Sequence, residues 1–417
     1  MTVTLTAPAC QSSLDSYPWR SGLPVLIGSG FVLREVGPQD ALSLFELLTD
    51  EQVTRFMSRP PENAGGFEHF FEWVRAERRA GHCFCFAIVP EGRETAVGLI
   101  QGREIEPGFG TAEWGFALGR PYWGTGLFMA AARLVVDFVF RCTHAHRLEA
   151  RALVENGRGN GVLRKLGAIP EGILRKSFKG DENYLNQVLW SLNAEDWLAR
   201  TPSSSICRWR PAVAEEQPAA DHAGGPLPAW TQGLPTVRGD GLTLREPVPS
   251  DAPVLRRLAA PEVTRYIPSP PDTVEGFERF VNWVHARRKT GKYACYTVVP
   301  DGEDGPAGLF QIRQLEPTFK TAEWGFLFAS AHWGTGLFIR SAPIVLDVVF
   351  DTLGVHRLEA RAPTANGRAN GALRKLGATL EGELTRSFLL AGQYYDDSLW
   401  SILKEDWVGR KRSSPKF

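Results

Sequence analysis

Neither sign of charge prevails in this chain: Lys plus Arg and Asp plus Glu both number 47, leaving a formal net charge of zero over 417 residues. Without a broad preference for polyanions, neither nucleic acid nor an anionic membrane is implied as a partner. Cysteine is scarce. The six that occur, Cys10, Cys83, Cys85, Cys142, Cys207 and Cys295, form no Cys-x-x-Cys pair and do not recur between the two halves. Neither a zinc site nor a disulfide framework is suggested, and no metal is expected. The N-terminus lacks a basic region followed by an apolar run, and nowhere do eighteen apolar residues stand together. Secretion and membrane spanning are therefore not expected, and a cytoplasmic location is.

What is present is a repeat. Thr111-Ala-Glu-Trp-Gly-Phe116 returns as Thr321-Ala-Glu-Trp-Gly-Phe326, Trp123-Gly-Thr-Gly-Leu-Phe128 as Trp333-Gly-Thr-Gly-Leu-Phe338, and His146-Arg-Leu-Glu-Ala-Arg-Ala152 as His356-Arg-Leu-Glu-Ala-Arg-Ala362, always 210 residues on. A period this long exceeds any solenoid repeat, so each copy is expected to be a complete domain with its own core. Copy one is read as 29–200 and copy two as 236–410, with a polar tail at 1–28 and a basic tail at 411–417. Residues 201–235, rich in Pro, Ala, Gly and Ser, carry too little apolar periodicity for a helix or strand and read as a linker. Its length would let the copies pack as a pseudo-dimer.

Within a copy, strand and helix patterns alternate. Strands are predicted near 31–36, 84–89, 96–105, 111–118, 147–154, 169–178 and 184–192. Helices are predicted at 38–48, 67–79, 126–140 and 159–166. The helix from Gly126 has an apolar stripe of Leu127, Ala131, Leu134, Val135, Phe138 and Val139. The fold class is α/β (α+β): a mixed sheet with helices on both sides.

Trp123-Gly124-Thr125-Gly126 falls where a strand ends and a helix begins, a place where unpaired N–H groups and the helix dipole bind an anion. Alone, such a turn is weak evidence. It stands, however, in an ordered set with the Ala-Glu-Trp-Gly-Phe strand, the His-Arg-Leu-Glu-Ala strand, Asn156-Gly-Arg-Gly-Asn160, Arg164-Lys-Leu-Gly167 and Glu171-Gly172. Together these resemble the GNAT acetyltransferase superfamily, and within it the ribosomal-protein N-terminal acetyltransferases of the RimJ/RimL kind, over nearly all of both copies.

The resemblance implies that Trp123, Gly124, Thr125, Gly126, Leu127 and Phe128 bind the pyrophosphate of coenzyme A, with Trp333, Gly334, Thr335, Gly336, Leu337 and Phe338 equivalent. It implies a mostly antiparallel sheet in which the strand at 113–118 splays from the strand at 147–154, the pantetheine arm lying in the gap. One departure is bulk: Phe128 and Phe338 stand where the family has Gly or Ala, which would narrow the phosphate site.

Acyl transfer to an amine requires removal of an ammonium proton, whereas the thiolate is a tolerable leaving group because a free thiol ionises near ~8.5. Glu113 and Glu323 are the candidate bases, on the strand where similar enzymes place a catalytic Glu; the alternative is that each pairs with a neighbouring basic side chain. Asn156 and Asn366 match the family's Asn that contacts pantetheine or orders the active-site loop. Capping the next helix is the alternative, for which Asn160 and Asn370 serve as well. Arg147, Glu149 and Arg151, with Arg357, Glu359 and Arg361, share one strand face and are read as a structural charge ladder. The family's Ser and Tyr are replaced by Gly159 and Ala369, and by Leu163 and Leu373, so no general acid is assigned. Its Asp in a Tyr-x-Asp pattern is Asp396 in copy two and Asn186 in copy one. Trp73, Trp114, Trp190, Trp197 and their repeat partners are read as core anchors. The expected activity is transfer of an acetyl group from acetyl-CoA to a primary amine, either a protein N-terminus or a small amine; the alternative is a coenzyme A-binding regulatory protein or pseudoenzyme.

Overall fold

The computed structural model describes residues 17–106, 108–181, 183–201, 208–210, 227–267, 270–316, 318–390 and 392–413. Contacts divide the chain into two compact units, Met1–Ala223 and Gly224–Phe417.

In the first unit, β1 (Val25–Gly28) and β2 (Phe31–Glu35) precede α1 (Ala41–Leu48), α2 (Glu51–Thr54) and α3 (Ala64–Ala80). A meander follows: β3 (Cys83–Pro90), β4 (Gly98–Glu104) and β5 (Thr111–Leu118). Helix α4 (Leu127–Phe138) crosses over to β6 (Arg147–Leu153), and α5 (Gly157–Leu166), β7 (Ile169–Lys179), β8 (Tyr184–Asn193), α6 (Ala194–Arg200) and β9 (Arg208–Arg210) complete the unit. The strands run in the order β9-β1-β2-β3-β4-β5-β6-β8-β7, antiparallel except for β5 and β6. That exception follows from the helical crossover, which returns the chain in the same direction.

The alternation along β3 builds two cores. Phe84, Phe86 and Ile88 pack on one face with Ala131, Val135 and Phe138 of α4 and Leu163 and Leu166 of α5. Cys83, Cys85 and Ala87 pack on the other with Leu44 of α1 and Phe67, Phe71 and Val74 of α3. Helices thus cover both faces, as the residue pattern predicts.

The second unit repeats the plan with β10 (Val237–Gly239), β11 (Leu242–Arg245), α7 (Ala252–Leu258), α8 (Pro261–Thr264), α9 (Val274–Lys289), β12 (Tyr293–Pro300), β13 (Gly308–Gln314), β14 (Thr321–Phe328), α10 (Leu337–Asp347), β15 (Arg357–Pro363), α11 (Gly367–Leu376), β16 (Thr379–Leu390), β17 (Gln393–Leu403) and α12 (Lys404–Ser413). Again one pair, β14 and β15, is parallel.

Three expectations are corrected. The supposed polar tail is structured from Tyr17 on: Trp19, Leu23 and Leu26 are buried, and β1 pairs with β2. Too short for a periodic signal, Val25-Leu26-Ile27 gains its order from its neighbours. The supposed linker likewise contributes β9, which pairs with β1 and buries Trp209, and further on Trp230 and Leu234 are buried. A short segment with one large aromatic anchor escapes a window that looks for repetition. Residues 1–16, 202–207, 211–226 and 414–417 lie outside the described residues. Finally, Trp73 and Trp283 are not core anchors. They are 42% and 45% exposed, on the outer face of α3 and α9, while Trp114, Trp190, Trp197, Trp324, Trp400 and Trp407 are buried.

Candidate active site

The parallel strands of each unit part company after three residue pairs. Thr111, Ala112 and Glu113 oppose Arg147, Leu148 and Glu149. Beyond them β5 continues to Leu118 bonded to β4, and β6 continues to Leu153 bonded to β8. A fork opens between them, because past Glu113 and Glu149 the two strands form no further ladder pairs with each other. In the second unit the fork opens after Glu323 and Glu359.

Glu113 therefore sits at the crotch of the fork. Alternation sends Trp114 into the core under α4 and Glu113 to the opposite face. There its carboxylate accepts a hydrogen bond from Arg103 at 2.9 Å, directly across the β4–β5 pair, and Arg151 Nε lies 3.7 Å away. Glu323 is held in the same way, by Arg313 at 3.0 Å and Arg361 at 3.6 Å. Both carboxylates keep a share of solvent, with side chains 17% and 15% exposed. The pairing foreseen as the alternative for these residues is thus present, and each remains at the crotch of its fork.

The charge ladder is a buried cluster. Arg147 is fully enclosed and donates to Glu149 at 3.0 Å and to Glu171 at 3.1 Å. Arg357 does the same with Glu359 at 2.9 Å and Glu381 at 3.0 Å. Burial alone would lower the pKa of Arg357, but the two carboxylates outweigh it and hold it above the ordinary value. Removing one partner would strand a buried charge, so this is a site of structural commitment beneath the fork. In the sequence Glu171 is only a motif residue, and Glu381 is its counterpart 210 residues on. Their role follows once a strand arginine is seen to face inward, where it needs more than one carboxylate.

At the other end of the fork, Gly124 and Gly126 have φ of 76° and 84°, left-handed values that suit glycine. Apart from its immediate chain neighbours, nothing lies within 4 Å of where a Cβ on either would stand, so the face of the turn is open. The indole N–H of Trp123 donates to the Leu118 carbonyl at 2.8 Å, pinning the turn to the end of β5. The guanidinium of Arg158 lies 4.3 Å from the Trp123 ring centroid, and that of Arg368 3.5 Å from Trp333. Thr125 Oγ accepts from Leu127 N at 3.3 Å. Among the described residues, the amides of Gly124, Gly126, Phe128 and Met129 have no protein acceptor. These are the groups that a helix start offers to an anion.

Phe128 does not obstruct them. Its ring lies against Phe116 of β5, with centroids 4.4 Å apart, and Phe338 lies against Phe326 at 4.5 Å. The extra bulk is absorbed by the sheet face instead of the turn.

Asn156 caps α5: its side-chain oxygen accepts from Gly159 N at 2.8 Å, and Asn366 accepts from Ala369 N at 3.1 Å. Asn160 is no cap. It donates to the Leu153 carbonyl at 2.9 Å and accepts from Trp190 Nε1 at 2.8 Å, stapling α5 to β6 and β8. Asn186 and Asp396, which looked like a difference between the copies, do one job: each side chain accepts the amide of a left-handed bulge residue, Lys176 or Arg386, at 2.9 and 2.8 Å. Among the described residues no group of three or more His, Cys, Asp or Glu could hold a metal ion, and no helix is long and apolar enough to cross a membrane.

The family profile described as an acetyltransferase (GNAT) domain matches residues 31–169 and again 241–379. The chain belongs to that family. It is a GNAT-type N-acetyltransferase with two tandem domains, and acetyltransferases of this fold use acetyl-CoA. Among its relatives, the uncharacterized N-acetyltransferase p20 of Bacillus licheniformis is 26% identical over 161 residues, 38% of this chain and 90% of p20. Spermidine N(1)-acetyltransferase of Escherichia coli K12 is 28% identical over 118 residues, 28% of this chain and 62% of that enzyme, so the match spans less than two thirds of its length. The putative ribosomal N-acetyltransferase YdaF of Bacillus subtilis is 23% identical over 104 residues, 25% of this chain and 57% of YdaF. Among solved structures, Mycobacterium smegmatis RimJ in complex with CoA-disulfide is 22% identical, with a TM-score of 0.39, covering 45% of this chain and 94% of that one.

Proposed function

We propose that the GNAT domains transfer the acetyl group of acetyl-CoA to a primary amine, a protein N-terminus or a small amine. The observation that carries the reading is the duplicated fork, with an open turn of free amides at one end and a carboxylate at its crotch. In this reading the amides of residues 124–129 and 334–339 take the diphosphate, and the exposed edges of β5 and β6, or β14 and β15, pair with the pantetheine amides. The thioester then lies beside Glu113 or Glu323.

The proton comes off the ammonium onto that carboxylate, directly or through one water. The freed amine forms the C–N bond as the C–S bond breaks, the electron pair leaves with the sulfur, and the second proton of the acylated nitrogen passes to solvent or to the departing thiolate. No side chain is assigned to protonate the thiolate, which is stable enough to depart unaided. Asn156 and Asn366 order the loop at the end of β6 and β15 by capping the helix that follows. Relatives named for spermidine and for ribosomal proteins support both amine classes as acceptors.

The arginines on Glu113 and Glu323 favour a second reading, in which a copy holds coenzyme A without turnover. Release of free thiol from acetyl-CoA over a panel of amines and N-terminal peptides separates the two. Thiol release with matching acetylated product supports the transferase. Coenzyme binding with no product from any acceptor supports the second reading.

A further inference from the structure

The two versions of the coenzyme turn differ by one displaced cation. Helix α4 has Ala130 at the fourth position after Gly126 and Arg133 at the seventh, whereas α10 has Arg340 at the fourth after Gly336 and Pro343 at the seventh. Each helix thus carries one arginine in this stretch, but in α10 it stands three residues, or about 4.5 Å along the axis, nearer the turn. Arg340 Nη1 lies 4.0 Å from the point where a Cβ on Gly336 would stand, and the corresponding space over Gly126 is empty to that distance.

That is a poor place for a cation in an isolated helix. The unpaired N–H groups of a helix start amount to about half a positive charge, and the first turn of α10 contains no acidic residue to offset Arg340. The arrangement becomes favourable when an anion lies between the guanidinium and the amides. Arginine also suits phosphate oxygens, which its planar fork can hold through two parallel hydrogen bonds. The arginines over the tryptophan rings, Arg158 and Arg368, occur in both copies and create no such difference.

We propose that Arg340 makes the second copy the tighter coenzyme A site, by adding a guanidinium to a diphosphate that the first copy binds through its turn without it. This rests on the coenzyme reading above and goes beyond it by ranking the two sites.

Equilibrium dialysis of the full chain against labelled coenzyme A tests it. The expected result is two classes of site about tenfold apart, the increment of one charge-assisted contact, with a gap that narrows as salt rises. Arg340→Ala should bring the tighter class down to the weaker. Ala130→Arg should raise the weaker toward the tighter, and Arg340→Lys should keep part of the gap. Arg340 is exposed, so the variants should melt like the parent by circular dichroism. Two indistinguishable classes in the parent, or a gap that survives both Arg340→Ala and Ala130→Arg, would overturn the ranking and leave the coenzyme reading standing. No binding to either copy would overturn the coenzyme reading itself.

Discussion

Glu113 and Glu323 combine two features that rarely meet in a surface carboxylate: arginines on either side and an unpaired strand edge beside them. The arginines fix where the oxygens point, and the open edge gives a substrate access to them. Exchanging either carboxylate for an amide keeps the shape and removes the proton acceptor. Glu113→Gln or Glu323→Gln should lower turnover of its own copy by about a hundredfold, read as thiol release, and the double variant should fall to background. An unaffected double variant would remove both residues from the mechanism. A second residue-scale expectation concerns Cys83. Burial, with Glu77 adding to it, pushes its thiol up to about 12 from an ordinary 9.0. Between those values the unfolded chain has released the proton and the folded chain has not, so stability is full below pH 9 and falls as pH rises toward 12. Cys83→Ala should flatten that limb of the alkaline unfolding curve by up to about 1.4 kcal/mol per pH unit. An unchanged limb would show that the thiol ionises freely in the native state.

The elements that sequence made legible are those with a long apolar period. Helix α4 and the strands that flank it follow from the stripe of Ala131, Val135 and Phe138 and from the alternation along β3. The turn at Gly124 and Gly126 was legible as well, from its place between a strand and a helix in an ordered set of motifs, and both glycines take left-handed φ there. What escaped were contacts that depend on distant chain. Asn186 and Asp396 differ in charge, yet both supply one oxygen to a bulge amide on the neighbouring strand, a pairing no local pattern reveals. Asn186→Asp should therefore leave the melting free energy within about 0.5 kcal/mol. Loss of more would mean that the amide nitrogen also bonds. At the α5 cap, Asn156→Ala should cost about 1 kcal/mol, and Asn156→Asp, which retains the accepting oxygen, should restore it. Activity that stays low in Asn156→Asp while stability recovers would give Asn156 a part beyond the cap.

For the molecule as a whole, duplication is the organising fact, and the 210-residue offset carries over from sequence to strand order, fork and turn. The ends of the copies were less legible, because a single tryptophan on a three-residue strand has no period. Trp209 is 4% exposed, and its ring meets Tyr17 edge-on at 4.9 Å, so Trp209→Ala should destabilise the first unit by about 3–5 kcal/mol. A melt unchanged by that substitution would return residues 208–210 to the linker. The account as a whole turns on where the thioester sits. A crystal structure with acetyl-CoA should show diphosphate on the amides of residues 124–129 or 334–339 and the thioester in the fork, within one water of the Glu113 or Glu323 carboxylate. Coenzyme bound elsewhere, or forks closed by the rings of Phe128 and Phe338, would contradict it.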